Sequence, residues 1–320
     1  VDWIYNRPTR PNDDASPELI GAELGLDVHT ITQAPNDLVN TGGNWMSDGF
    51  GTAFASELIL DENDGTGGAN GLDYPIHSES EIDNILETFM GIHTYIKMPT
   101  LPYDGIHHID MHMKLVDEET LLVGEYPDGV ADGPQINANI EYVLANFQSH
   151  FGTPFHVVRI PMPPSTGGAF PDSNGAYRTY TNAVFVNNTI IFPTYREEYD
   201  TTAFRIWGEV CPGYNLVGID CDNNGNNIIA QSGAIHCITH TVGVADPLLI
   251  SHQPLTDTYN TTTPYQVSAY MRHRSGISSA TLYWRIQGEN LFNAVAMTSQ
   301  LDDTFSGSIP PQSAGTIIEY

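Results

Sequence analysis

Basic residues are scarce in this chain of 320 residues. Eleven Lys and Arg stand against 39 Asp and Glu, a formal net charge of −28, and no Lys or Arg occurs between Arg10 and Lys97. Nucleic acid is excluded as a partner, because phosphate binding needs clustered Lys and Arg. The imbalance suits a cationic substrate or a salty, extracellular setting; a plainly solvated acidic surface is the other reading. Cysteine is scarce too. Three residues cannot all pair internally, and a Cys211–Cys221 disulfide would leave Cys237 free. No run of about 18 apolar residues is present, so no membrane span is expected. The chain opens at Val1 with neither an initiator Met nor a signal peptide. A removed leader or a fragment would account for that, and a secreted or periplasmic location is the expectation. The length suits one large domain with a smaller one, and 40% hydrophobic with 10% aromatic residues is enough for a packed core. No oligomeric state is read from the sequence.

What is present is periodic. Residues 16–25 read as a helix, with Pro17 in the first turn, Leu19, Ile20 and Leu24 in a stripe, and Gly25 at the end. Residues 81–90 repeat the scheme through Ile82, Ile85, Leu86 and Phe89, ending at Gly91, with a strand over 93–98. A helix over 135–150 leads past Gly152 to a strand over 155–162, and one over 197–211 leads past Gly213 to a strand over 214–219. Helix centres recur at a spacing of about 60 residues, the mark of a repeat architecture. Strand pairs lie between them: 45 onward with 52–60, 106–116 with 120–126, and 179–186 with 189–195, the last joined at Asn187-Asn188. Each repeat is thus strand, strand, helix, strand. From Pro247 helical periods vanish and short alternating segments take over, the pattern of a small all-β sandwich. Two domains are expected, 1–246 and 247–320, the second short enough to lack its last strands.

Each repeat carries polar residues in the first strand of its hairpin: Asp48, then His108 and Asp110, then Asn182, then Cys237 within the apolar stretch 231–243. On a strand His108, Asp110 and His112 would share one face, and burying them unpaired would be costly. One polar position per repeat is what a pseudo-symmetric ring with a central site would need. A thiol nucleophile needs a neighbouring cation or base, and His108 suits that role and general acid–base work. Asp48 and Asp110 together would match the forked donors of a guanidinium. The set therefore suggests attack by Cys237 on a guanidinium carbon. Plainer readings stand beside it: a core hydrogen bond for His108 and Asp110, a turn contact for Asp48, a turn role for Asn182, packing for Trp45, and packing or support behind the reacting groups for His236 and His240. Zn ligation by His107, His108, Asp110 and His112 would make a metal hydrolase, without an HExxH or Cys-x-x-Cys to support it. Residues 220–225 have the look of a calcium loop but lack the distal Glu of an EF-hand; a polar turn is the simpler reading.

Four motifs in order, Gly42-Gly-Asn-Trp-Met-Ser-Asp-Gly49, His108-Ile-Asp110, Tyr180-Thr-Asn182 and Ala234-Ile-His-Cys-Ile-Thr-His240, resemble the guanidino-group-modifying (pentein) superfamily. The similarity is to its bacterial Porphyromonas-type peptidylarginine deiminase branch, related to agmatine deiminases. The resemblance implies an α/β fold, a five-bladed α/β propeller of ββαβ units, followed by an immunoglobulin-like β domain. Only four helices are legible, so the opening strands are expected to be missing. It implies Cys237 as nucleophile through a covalent thiouronium, His108 as acid and base, Asp48 and Asp110 as guanidinium grips, Asn182 in positioning and Trp45 against the substrate stem. The implied reaction converts an arginine side chain in a peptide to citrulline and ammonia without metal or organic cofactor; the alternative is agmatine to N-carbamoylputrescine. Members selective for C-terminal arginine carry two Arg where this chain has Asn70 and Leu72, which argues against that selectivity. The acidic, glycine-rich stretch 61–73 would favour a substrate with extra positive charge. A non-catalytic binding protein on the same fold is the remaining alternative.

Overall fold

Three successive segments of the chain fold as two antiparallel strands, a helix and a third strand. A computed structural model describes residues 1–7, 9–66, 75–223, 227–244 and 246–320. Contacts divide the chain into two units, Val1–His240 and Thr241–Tyr320. The first unit opens with β1 (Asp2–Tyr5), α1 (Pro11–Asp14), α2 (Ser16–Leu24), β2 (Thr30–Ile31) and β3 (Val39–Asn40), with β1 central and parallel to both neighbours. Then come β4 (Met46–Ser47), β5 (Thr52–Ser56), α3 (Leu58–Asp61), α4 (Glu79–Met90) and β6 (Thr94–Met98). The next set is β7 (Met113–Leu115), β8 (Thr120–Glu125), α5 (Gly133–Asn146) and β9 (His156–Pro161). The last is β10 (Val184–Val186), β11 (Thr189–Thr194), α6 (Glu197–Val210) and β12 (Asn215–Asp220). In each set the second strand is central, antiparallel to the first and parallel to the third. Parallel pairing needs a crossover, and the helix supplies it. The fold of this unit is α/β.

Local chemistry explains the repeat. Before α4, the Glu81 N–H donates to Ser78 Oγ (3.4 Å) and the Ser78 N–H donates to Glu81 Oε2 (2.8 Å), a reciprocal cap. Gly91 ends the helix in the left-handed region at φ 69°. Ile82, Ile85 and Leu86 are buried with Ala53 and Ala55 of β5, while Phe54 joins the larger core cluster. A strand covered on both faces reads as a nearly continuous apolar run. Burying the three aliphatic side chains contributes roughly 5–9 kcal/mol. An isolated helix this short is marginal in water, so packing rather than propensity holds α4.

The strands are shorter than the alternation of residues suggests. In 105–116 only β7 is a strand; Ile109–Met111 forms a 3-10 turn. His107 adopts φ 56°, its carbonyl accepts from Ser56 Oγ (2.5 Å), and the His112 N–H folds back to Ile109 O (3.1 Å). The expected one-sided strand of His108, Asp110 and His112 is therefore replaced by a turn. Cys237 likewise sits in a 3-10 turn, His236–Ile238, and not on a strand. Asp48 lies just beyond β4, and Asn182 just before β10. The expected strand 52–60 ends at Ser56 and passes into α3. Around Thr179 the ladder gives way to the Tyr195 hydroxyl, which donates to Thr179 O (3.0 Å) and accepts from its N–H (2.9 Å). All three cysteines are free thiols, Cys211 and Cys221 buried, so the Cys211–Cys221 pairing is not made.

The second unit is all-β. It comprises β13 (Leu249–Ser251), β14 (Tyr265–Arg272), β15 (Thr281–Ile286), β16 (Asn293–Ala296), β17 (Thr298–Ser299), β18 (Thr304–Ile309) and β19 (Ile318–Glu319). These form two sheets, β13-β14-β18-β17 and β16-β15-β19, with Val267, Leu282, Trp284 and Ile309 as the shared core. Among the described residues, no helix is long and apolar enough to cross a membrane. Asn70, Leu72 and positions 67–73 of the acidic stretch lie outside the described residues, as do Asn224 and Gly225 of the calcium-like loop. Within that loop, Asp222 is engaged by Arg178 Nε (2.5 Å) and Arg196 Nη1 (3.2 Å).

Candidate active site

The candidate side chains come from turns, three of them placed just before the first strand of a hairpin. Gly42–Asn44 is a 3-10 turn ahead of β4, Ile109–Met111 one ahead of β7, and Thr181 and Asn182 precede β10. A fourth turn, His236–Ile238, follows β12. Side chains pin these turns to one another. Asn44 Oδ1 accepts from Ser56 N (2.8 Å), fixing the first turn to β5. Thr181 Oγ1 donates to Asp110 O (3.1 Å), tying the third to the second.

Asn182 organises the cysteine turn. It is fully buried, and its Oδ1 accepts from the backbone N–H groups of Ala234 (3.2 Å), His236 (2.9 Å) and Cys237 (3.4 Å). Its Nδ2 donates to Cys237 Sγ (3.1 Å). Cys237 Sγ also lies 3.5 Å from Asp110 Oδ2, and the same oxygen is 2.8 Å from His236 Nδ1. Asp110 is fully buried, and its other oxygen, Oδ1, has no hydrogen-bond partner. A buried carboxylate oxygen without a donor is costly, and it is an acceptor ready for an N–H of a ligand. His108 is half-buried; its Nε2 is 3.0 Å from Thr41 Oγ1. Gly43 allows this closeness: a Cβ there would fall 2.4 Å from His108 Nδ1 and 3.1 Å from Asp110 Oδ2.

Burial and charge set the protonation states. Burial alone would raise the Asp110 carboxyl, but the hydrogen bond and charge of His236, with His108 and Lys114, hold it below the usual carboxylate range. Burial pulls the His108 imidazole below its ordinary value, against the pull of Asp110. Desolvation, then the Asp110 carboxylate, pushes the Cys237 thiol up to about 12. Burial lowers Lys114 to about 8, opposed by Asp110 and Cys237. Without a ligand the site therefore holds a carboxylate, a neutral imidazole and a protonated thiol. A guanidinium entering here would neutralise Asp110 and place positive charge beside the sulfur, and both effects favour the thiolate.

Of the residues singled out in the sequence, the structure brings together Cys237, His108, Asp110 and Asn182. Asp48 Oδ1 accepts from the N–H groups of Phe50 (2.7 Å) and Thr52 (2.9 Å) in its own turn. Trp45 packs between Trp3 and Tyr95, at ring separations of 6.0 and 5.6 Å. His112 is buried with neither ring nitrogen hydrogen-bonded, and burial lowers it to about 4. Among the described residues, no group of three or more His, Cys, Asp or Glu is arranged to hold a metal ion. His236, read from sequence as packing or as support behind the reacting groups, touches Asp110 directly. Thr41 and Gly43 were without a signal beyond their place in the Gly-rich motif, and Lys114 reads in sequence as an ordinary strand lysine.

Comparison with known proteins agrees on the family. The family model described as Porphyromonas-type peptidyl-arginine deiminase matches residues 1–242. A protein of Marinomonas sp. (strain MWYL1), named "Putative agmatine deiminase", is 24% identical over 265 residues, covering 76% of this chain and 65% of its own length. One of the same name from Selenomonas ruminantium is 26% identical over 276 residues, covering 76% and 68%. Among solved structures, an agmatine deiminase of Enterococcus faecalis superposes with a TM-score of 0.58 at 19% identity, covering 74% of this chain and 67% of that one. The agmatine deiminase of C. jejuni gives 0.54 at 20% identity, covering 73% and 63%; at such identities these two show the fold alone. The chain thus spans 65% of the length of the Marinomonas relative. With residues 1–242 matched and the thiol, imidazole and carboxylate of its motifs gathered at one place, the chain belongs to the Porphyromonas-type peptidyl-arginine deiminase family.

Proposed function

We propose that this chain hydrolyses a guanidinium group to a ureido group and ammonia, with a small guanidine of the agmatine type as substrate. The observation that carries the reading is the convergence of Asn182 Nδ2 (3.1 Å) and Asp110 Oδ2 (3.5 Å) on Cys237 Sγ, with the His108 ring against Gly43 beside Asp110. The relatives named for agmatine favour the small substrate over arginine in a peptide. The description of the matched family keeps peptidyl arginine as a second reading.

In this reading Asp110 accepts N–H donors of the guanidinium in a charge-assisted bond. Cys237 loses its proton, ultimately to His108, and its sulfur forms a bond to the guanidinium carbon. His108 passes that proton to the departing nitrogen; the C–N bond breaks and ammonia leaves, with a thiouronium on Cys237. His108 then takes a proton from water, the resulting hydroxide adds to the carbon, and the C–S bond breaks. The hydroxyl of the adduct gives up its proton as the carbonyl forms, and that proton ends on the released ammonia as ammonium; the proton on His108 returns to the sulfur. Asn182 holds the turn, and Asp48, fixed through Oδ1 by the Phe50 and Thr52 N–H groups, is the second carboxylate proposed to grip the guanidinium. The proposed setting is a catalytic unit built as blades of a five-bladed propeller, three ββαβ sets of which are present, with an immunoglobulin-like second unit. A secreted or periplasmic location is proposed from the acidic, lysine-poor composition.

The test is ammonia release at pH 7–8 from agmatine, free arginine and a peptide with internal arginine, with Cys237→Ala alongside. Release from agmatine, lost in the variant, is expected. Release from the peptide alone moves the substrate to peptidyl arginine. No release from any of the three by folded protein, or activity that survives Cys237→Ala, refutes the scheme.

A further inference from the structure

The His108 ring is held on two sides by one short stretch, Thr41 to Gly43. Thr41 is almost fully buried and extended, at φ −137° and ψ 144°, just before the 3-10 turn. Its backbone is fully engaged: the N–H donates to Asn40 Oδ1 (2.8 Å), and the carbonyl accepts from Asn44 N (3.1 Å). That leaves the hydroxyl in a fixed place, 3.0 Å from His108 Nε2. The other nitrogen looks elsewhere. His108 Nδ1 and Asp110 Oδ2 lie 2.4 and 3.1 Å from the single point where a Gly43 Cβ would stand. Asp110 Oδ2 is in turn 3.5 Å from Cys237 Sγ. Nδ1 and Asp110 Oδ2 therefore border the same space above Gly43, and Nε2 faces the wall.

We propose that Thr41 is a positioning residue that accepts the Nε2–H of His108 and thereby fixes its tautomer, so that Nδ1 is the nitrogen that exchanges protons at the reacting centre. A histidine's free nitrogen is set by the hydrogen bond of the other one. A hydroxyl suits the task better here than a carboxylate would, because it orients the ring without adding a charge that would hold the imidazolium. His108 must gain and lose a proton in each turnover, and the groups facing it already include Asp110 and His236 from neighbouring turns, His107 beside it and Arg7 from the segment after β1.

The kinetic consequence rests on the deiminase reading; the tautomer does not. The test pairs them, using Thr41→Val, which keeps the shape and removes the hydroxyl, and Thr41→Ser, which restores it. Nitrogen-15 NMR of histidine-labelled protein at pH 8, assigned by the signals lost in His108→Gln, reads the ring directly. The wild type and Thr41→Ser are expected to show His108 protonated at Nε2 and bare at Nδ1, and Thr41→Val a mixture of tautomers. Turnover in Thr41→Val is expected to fall about tenfold, part of the roughly 10²–10⁴-fold that a positioned acid–base group contributes. KM should change less than about twofold, and Thr41→Ser should recover most of the loss. A wild-type tautomer in Thr41→Val, or a Thr41→Ser no better than Thr41→Val, overturns the proposal. The expected NMR pattern in a protein that releases no ammonia supports the positioning role and sinks the deiminase reading instead.

Discussion

Truncating Asn182 to Ala separates the scaffold of the site from its chemistry. Three N–H groups share Asn182 Oδ1, but they lose unequal amounts. The His236 N–H keeps a second acceptor, the Asn182 carbonyl at 3.2 Å. The Cys237 N–H was already distant at 3.4 Å and belongs to an exposed residue, so water can replace the bond. Only the Ala234 N–H is both buried and left with nothing, a cost of about 1–3 kcal/mol. The emptied amide volume adds on the order of 1 kcal/mol. The sum, about 2–4 kcal/mol, lowers the midpoint of thermal unfolding by about 5–15 °C for a unit of this size. Turnover should fall further than stability suggests, about 100-fold, because a nucleophile misplaced by about 1 Å loses that much. Asn182→Asp is the informative companion. It keeps the acceptor and should recover most of the midpoint, yet the carboxylate replaces the donor to Cys237 Sγ and drives the thiol higher, so activity stays lost. The assay is calorimetric unfolding with ammonia release on the same samples. A midpoint within about 1 °C of wild type in Asn182→Ala would show that the amide does not hold the turn.

Other outcomes follow from the same geometry. His112 is buried and lowered to about 4 from the usual 6.5, so the unfolded chain binds the extra proton between those values. The stability it contributes is present above about 6.5 and lost as pH falls toward 4, about 3 kcal/mol in all; denaturant titrations from pH 7 to 4 should show the decline, reduced in His112→Leu. Gly43→Ala brings a methyl within 2.4 Å of His108 Nδ1; ammonia release should drop at least tenfold while far-UV circular dichroism stays as in the wild type, and full activity would mean that the ring moves freely. With the Cys237 thiol pushed up to about 12, alkylation by iodoacetamide at pH 8 should run well below that of a free cysteine; mass spectrometry locates the adduct, and fast labelling of Cys237 would contradict the protonated resting state.

Much of the unit was legible because helices announce themselves on both sides. The stripe of Ile82, Ile85 and Leu86 and the left-handed Gly91 fix α4 to within two residues, and α6 is nearly as clear. The site was legible by residue type and wrong by local structure. Alternation through His108, Asp110 and His112 imitates a strand, yet a 3-10 turn brings residues onto one side by hydrogen bonds that no period-2 count contains. In a strand His236 and Cys237 would face opposite ways; in their turn both reach Asp110 Oδ2. Asp48 shows a local contact of a related kind. An Asp before Gly49 finds backbone donors within four residues, and a contact that near forms at less entropic cost than a distant one. Thr41 left no trace because a hydroxyl beside a glycine pair gains meaning only once His108, far along the chain, is placed against it.

The turns that build the centre meet across long stretches of chain: His108 reaches Thr41 over 67 residues, Thr181 reaches Asp110 over 71, and His236 reaches Asp110 over 126. Lengthening a closed loop about twofold costs only about 0.6 kcal/mol, so at equilibrium the distances matter little. In time they matter more, since long-range contacts form after local ones. As the chain leaves the ribosome, imidazole and carboxylate emerge well before the thiol. The turn of Cys237 closes onto Asn182 and Asp110, so it can form only after both have been made.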